Sequence, residues 1–144
     1  MNNHPLSSLI SSQGLLEELA KEYGTPLYVY SKNRLKDNID RLSSAIGNSF
    51  KNHQIYYAVK ANSNIHIISI LKEALNDLGC DCSSPGELYA AKESGVDMSD
   101  CVYTGNYESI DDLKTAYESG CEINLDDINS LNRLETIGVP EYIS

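Results

Sequence analysis

From Ile55 onward the chain repeats one arrangement of polar and apolar positions. A short unbroken apolar run is followed by a polar capping residue, an apolar stripe at three- and four-residue spacing, and a glycine. Short apolar runs fit strands and the wider spacing is one face of a helix, so each unit reads as a strand followed by a helix. The first strand covers 55–59, and its apolar, aromatic and β-branched character predicts burial on both faces. Its helix carries Ile67, Ile68, Leu71, Leu75 and Leu78 and closes on Gly79. The second strand takes 80–83. Ser84 with Glu87 three residues on, around Pro85, then predicts a capping box and a helix through Leu88 and Ala91 to Gly95. The third strand, 101–104, leads into a helix opened by Ser109 and Asp112 and stopped by Gly120. The fourth, 121–125, leads into a helix on Ile128, Leu131, Leu134 and Ile137, and a fifth strand opens at Tyr142 and Ile143.

Upstream the pattern is less regular. Residues 2–14 are polar and expected to fray, and Leu15, Leu16, Leu19, Ala20 and Tyr23 mark a short helix stopped by Gly24 and Pro26. Residues 25–30 are β-formers and predict a strand. Ser31 caps a helix whose apolar face is Leu35, Ile39, Leu42 and Ile46, with Gly47 at its end.

Strand starts at 55, 80, 101 and 121, each joined to the next by one helix, describe parallel βα units. A doubly wound sheet would place a glycine-rich phosphate loop after its first strand. Residues 60–64 read Lys-Ala-Asn-Ser-Asn with no glycine, so a barrel is the preferred architecture. A (β/α)8 barrel takes roughly 250 residues. The 144 residues here therefore predict its first half, incomplete, with the fourth strand as an exposed edge.

Composition narrows the function classes. Eleven basic against twenty-one acidic residues give a net charge of -10, which argues against a nucleic acid or an anionic membrane as the main partner. The first residues hold neither a basic run nor a long apolar stretch, so no signal peptide or membrane span is expected, and a cytoplasmic protein is. Cys80, Cys82, Cys101 and Cys121 lie in strand-like runs, and only the first two are close in sequence. That spacing predicts buried free thiols rather than zinc ligands or disulfides, and no metal site is expected.

Lys60 is the residue that interrupts this ordinary picture. A lysine that ends a buried strand often does no more than reach water with its amine. It also stands at the carboxyl edge of a parallel strand with a helix about to begin, the edge where such folds hold their active sites. The run Tyr57-Ala58-Val59-Lys60-Ala61-Asn62 resembles the lysine motif of the fold-type III pyridoxal-phosphate enzymes, the alanine racemase and ornithine/diaminopimelate decarboxylase group. In that family the matching lysine carries the cofactor, and an amine shielded from water is a usable nucleophile there.

Further motifs follow in order. Residues 22–30 resemble the segment by which bacterial diaminopimelate decarboxylases lead a strand into a second, β-rich domain. The resemblance thus divides the chain into 1–30, a helix and that strand, and 31–144, the first half of the pyridoxal-phosphate barrel. Asp81-Cys82-Ser83-Ser84-Pro85-Gly86-Glu87-Leu88 is similar to the family's second-strand segment, and Tyr103–Asn106 and Ile123–Asp126 to the ends of its third and fourth strands. Two departures stand out: residues 80–85 read Cys-Asp-Cys-Ser-Ser-Pro in place of a more apolar, glycine-containing run, and Glu108 stands where a lysine often occurs.

The resemblance implies a cofactor site of Lys60, Asp81, Glu87 and Asn106 for pyridoxal 5'-phosphate. Each of the last three has a plainer reading as well. Asp81 is equally an ordinary strand-end acid, Glu87 satisfies the cap of Ser84, and Asn106 tolerates the turn after Gly105. His4, His53 and His66 match no motif. The implied activity is decarboxylation of a small amino acid, most like meso-diaminopimelate to L-lysine, in a protein that is a homodimer at full length; residues 1–144 by themselves are expected to be inactive, since no glycine-rich phosphate loop occurs between the predicted strands. Ornithine, arginine or carboxynorspermidine decarboxylation, racemisation, and a non-catalytic truncated half are the alternatives.

Overall fold

The computed structural model describes residues 13–144. Helices α1 (Gln13–Tyr23) and α2 (Lys32–Ser49) precede four βα units. These are β1 (Tyr56–Ala58) with α3 (Ile65–Ala74), β2 (Gly79–Cys82) with α4 (Pro85–Glu93), β3 (Cys101–Thr104) with α5 (Ile110–Ser119), and β4 (Glu122–Asn124) with α6 (Ile128–Glu135). All three strand pairings are parallel, and the sheet order is β1-β2-β3-β4. Strands that neighbour in the order they occur, with no reversal, belong to a barrel wall rather than to a doubly wound sheet. At the open edge of β4, Ile143 forms a parallel bridge to Ile123, so the fifth strand has begun to pair.

Register explains how one sheet carries two unlike faces. Tyr57, Cys80 and Cys101 are aligned, as are Cys82, Tyr103 and Ile123, and this face is covered by helices. Its core brings Ile68 of α3, Leu88 and Ala91 of α4, Leu113 and Ala116 of α5 and Leu134 of α6 onto the strands. Each fully buried aliphatic side chain there stabilises the fold by roughly 1.5–3 kcal/mol. The opposite face aligns Ala58, Asp81, Val102 and Glu122, and beyond them Thr104 and Asn124, and every one of these residues is partly or fully exposed. A second cluster, Ile39, Ile67, Leu71 and Leu78, seats α2 on α3.

Local chemistry sets most element ends. Ser109 accepts from the Asp112 N–H while the Asp112 carboxylate accepts from the Ser109 N–H, and Gly120 closes α5 in the left-handed conformation. Asn64 caps α3 and Asp127 caps α6. All four cysteines are free and buried. The Cys80 and Cys82 thiols are pushed up in their titration, first by hydrogen bonding to Cys101 and then by burial.

Several expectations need correction. Residues 25–30 form no strand; Tyr28 is 88% exposed, since β-formers without a neighbouring strand have nothing to pair with. The first strand is three residues rather than five and is not buried on both faces, because Tyr56 lies on the uncovered side. α3 ends at Ala74, well before Gly79, which instead opens β2 and donates its N–H to the Ile55 carbonyl. α2 runs two residues past Gly47, and β4 is shorter by one residue at each end than expected. At Ser84 only half the expected box forms: its hydroxyl accepts from the Glu87 N–H, but the Glu87 carboxylate reaches back to the N–H of Ser83 instead. The expected fraying of residues 2–14 falls, for residues 2–12, outside the described residues, while Gln13 and Gly14 are helical.

Candidate functional site

Lys60 lies in a single 3-10 turn, Val59–Ala61, that begins where β1 stops. Val59 is fully buried and pins the turn to the core, whereas Lys60 points out into solvent rather than into the dry pocket expected for it. Among the described residues its Nζ makes no hydrogen bond and no ion pair. Beside it opens a pocket of about 490 Å³ lined by Val59, Lys60, Ser63, Ser84, Gly86 and Glu87 among others. One wall is therefore the lysine turn and the other is the N-terminus of α4, where the Glu87 N–H is taken by the Ser84 hydroxyl and the helix dipole favours a negative group.

Asp81 and Asn106 are less close to Lys60. Asp81 sits within β2 on the uncovered face, paired in register with Ala58, one row below the lysine turn. Asn106 stands exposed in the loop after β3, on the same rim of the sheet. Of the four sequence candidates, Lys60 and Glu87 share the pocket, and Asp81 and Asn106 do not line it.

A second polar cluster on this rim had only one sequence signal, the departure at Glu108. Glu108 is 4% exposed, folded beneath the loop at Gly105, where a Cβ would collide with its side chain. Its Oε2 accepts from the Ser130 hydroxyl at 3.0 Å, and Ser130 also lies 3.2 Å from Asp126 Oδ1. One hydroxyl proton faces two carboxylates, so Ser130 satisfies only one of them at a time. Arg133 Nη2 donates to Ser130 Oγ at 2.8 Å and approaches Glu108 Oε2 at 3.9 Å, while Glu108 Oε1 and Arg133 Nε have no partner among the described residues. Replacing Arg133 with alanine leaves the buried carboxylate without its counter-charge. The side chain is 33% exposed, so the expected loss is about 2 kcal/mol rather than the full cost of breaking a buried pair. Thermal unfolding should show a midpoint lowered by roughly 4–8 °C, and adding Glu108→Gln should recover part of it. An unchanged midpoint would show that Ser130 alone carries Glu108.

Among the described residues no cluster of His, Cys, Asp and Glu is placed to hold a metal ion, and no helix is long and apolar enough to cross a membrane.

Comparison with known proteins gives this geometry its context. The family described as pyridoxal-dependent decarboxylase, pyridoxal binding domain, matches residues 36–140. A curated diaminopimelate decarboxylase of Methanothermobacter thermautotrophicus is 43% identical over 120 residues, 83% of this chain and 28% of that protein. The crystal structure of AQ1208 from Aquifex aeolicus superposes with a TM-score of 0.76 at 38% identity, over 85% of this chain and 29% of that one. Diaminopimelate decarboxylase from Helicobacter pylori, solved with L-lysine, gives 0.72 at 31% identity over 85% and 30% of the two chains. The chain thus spans less than a third of the length of these relatives.

Proposed function

This chain belongs to the pyridoxal-dependent decarboxylase family, and on that premise we propose that it forms the lysine-bearing part of the cofactor site of an amino-acid decarboxylase acting on meso-diaminopimelate. The observation that carries the reading is the unpartnered Lys60 amine at the mouth of a pocket closed by a helix N-terminus. A pocket of about 490 Å³ is within the usual range for a small cofactor, and a lysine side chain with no competing partner at its mouth is what an aldehyde cofactor requires, so the residues present fit the group.

Lys60 would hold pyridoxal 5'-phosphate by its Nζ. When bound, the cofactor supplies a conjugated sink for the electron pair left as an α-carboxylate departs as CO2. With substrate bound, Lys60 Nζ would be the group to hold or move a proton beside the cofactor. Glu87, tied down by the Ser83 N–H, presents a fixed carboxylate opposite the lysine turn. Asp81 and Asn106 are proposed as further cofactor contacts from the same rim. The choice of substrate rests on relatives that carry the name diaminopimelate decarboxylase, one of them solved with L-lysine, which is what meso-diaminopimelate becomes on losing CO2. A cytoplasmic homodimer, with the division at residues 30 and 31 between two domains, belongs to the same proposal.

The test is direct. The natively expressed protein is incubated with pyridoxal phosphate, reduced with borohydride and mapped by peptide mass, alongside an assay of CO2 release from meso-diaminopimelate. A pyridoxyl group on Lys60 and release of CO2 are expected; label on a different lysine would overturn the assignment.

A further inference from the structure

We propose that Asn62 is a positioning residue for Lys60, holding the turn that carries the lysine against the hydroxyls of Tyr57 and Tyr30. The inference rests on the reading of Lys60 given above and concerns what sets its place. The Val59–Ala61 turn closes through one backbone bond, from the Asn62 N–H to the Val59 carbonyl at 3.1 Å. An isolated turn with one such bond does not hold its own shape, because fixing its dihedrals costs more than the bond returns. Something outside the turn must hold it.

Asn62 is bonded at every other polar group it has. Its carbonyl accepts from the Tyr57 hydroxyl at 2.9 Å, and its Nδ2 donates to the Tyr30 hydroxyl at 3.1 Å. Its Oδ1 accepts from the Asn64 N–H at 3.0 Å, and Asn64 in turn caps α3 through the His66 N–H at 2.9 Å. One half-buried amide therefore joins β1, the segment ahead of α2, and the start of α3, two residues from the lysine. The Tyr57 ring is anchored in both hydrophobic clusters, so its hydroxyl is a rigid strut rather than a surface group. Burial first, then Cys80 and Tyr30, push the titration of Tyr57 upward, which keeps the donor protonated around neutral pH.

The arrangement makes different demands on different replacements. Alanine at position 62 removes the bonds to Tyr30 and Asn64 and leaves the backbone ones. Aspartate keeps both, since Tyr30 has a hydroxyl proton to donate to the new oxygen. Tyr57→Phe removes only the bond to the Asn62 carbonyl. Two readouts separate positioning from general stability. One is amide hydrogen exchange over residues 60–64 in the natively expressed protein without cofactor. The other is the rate at which unphosphorylated pyridoxal with cyanoborohydride labels Lys60, followed by peptide mass.

In Asn62→Ala both quantities should change by about tenfold, exchange becoming faster and labelling slower, with a smaller change in Tyr57→Phe. Asn62→Asp should stay within about threefold of the unsubstituted protein, and thermal midpoints should move little in any of the three. Unchanged exchange and labelling in Asn62→Ala and Tyr57→Phe, or an aspartate variant no better than alanine, overturns the inference. If Asn62→Ala does not fold, Tyr57→Phe decides alone. Failure of the unsubstituted protein to label at Lys60 overturns the reading of the lysine instead, and the exchange measurement still decides the role of Asn62.

Discussion

Lys60→Ala is expected to lower the rate of decarboxylation by three orders of magnitude or more while leaving the fold intact. The size of the loss follows from the proposed chemistry, in which the Lys60 amine is both the covalent hold on the cofactor and the base, and removing a nucleophile from a unit that acts together costs far more than removing a binding contact. The lack of a structural effect follows from placement. Lys60 is exposed and bonded to nothing among the described residues, so the unfolding free energy should change by no more than about 0.5 kcal/mol. Lys60→Arg should be as inactive, because a guanidinium keeps its proton and is no nucleophile. Added methylamine should restore part of the turnover in Lys60→Ala, where it has room, and less in Lys60→Arg, where the longer side chain fills the space. Steady-state assays of CO2 release check this, and activity within tenfold of the unsubstituted protein in Lys60→Ala would contradict the role.

The second large effect is on stability, at Gly79. A Cβ there would collide with the Asp100 carbonyl oxygen and fall 2.7 Å from Cδ1 of the Tyr56 ring. The first of these is backbone and cannot swing aside. Gly79 is also held from the other direction, its N–H bonded to the Ile55 carbonyl at 2.9 Å, so relief would require the edge of β1 or the start of β3 to move away from β2. Overpacking of this kind costs about 3 kcal/mol, a large part of a total of roughly 5–15 kcal/mol. Gly79→Ala should therefore lower the thermal midpoint by about 6–12 °C. Gly95→Ala is the matched comparison. Gly95 has φ +83° and open space around it, so alanine there meets only the left-handed backbone penalty of about 1–2 kcal/mol. If Gly95→Ala proves the more damaging of the two, the close approach of β1, β2 and β3 at this end of the sheet is wrong.

What could be read from the amino-acid order was whatever is decided within one turn of chain. The alternation of strand and helix, the Ser109–Asp112 box and Gly120 at the end of α5 rest on interactions between residues close in the chain, and all are present. The motif around Lys60 was legible for the same reason, being contiguous. Bonds between distant residues decided the rest. Whether residues 25–30 form a strand depends on a partner strand, and propensity without one leaves them extended and exposed. Which side of β1 faces water depends on which side the helices cover, and so Tyr56 is exposed where an apolar run suggested burial. Glu87 did not take the N–H it was expected to take; its carboxylate bonds instead to the N–H of Ser83, the residue that follows β2. Glu108 is buried because Ser130 and Arg133, more than twenty residues on, come to meet it. The support of the Lys60 turn joins residues 30, 57 and 62, of which only the last two are neighbours in sequence. A pattern of residue types records the preference of each segment, but a hydrogen bond across thirty residues exists only after the chain has closed that distance, and it is the packing of α2, α3 and the sheet that closes it.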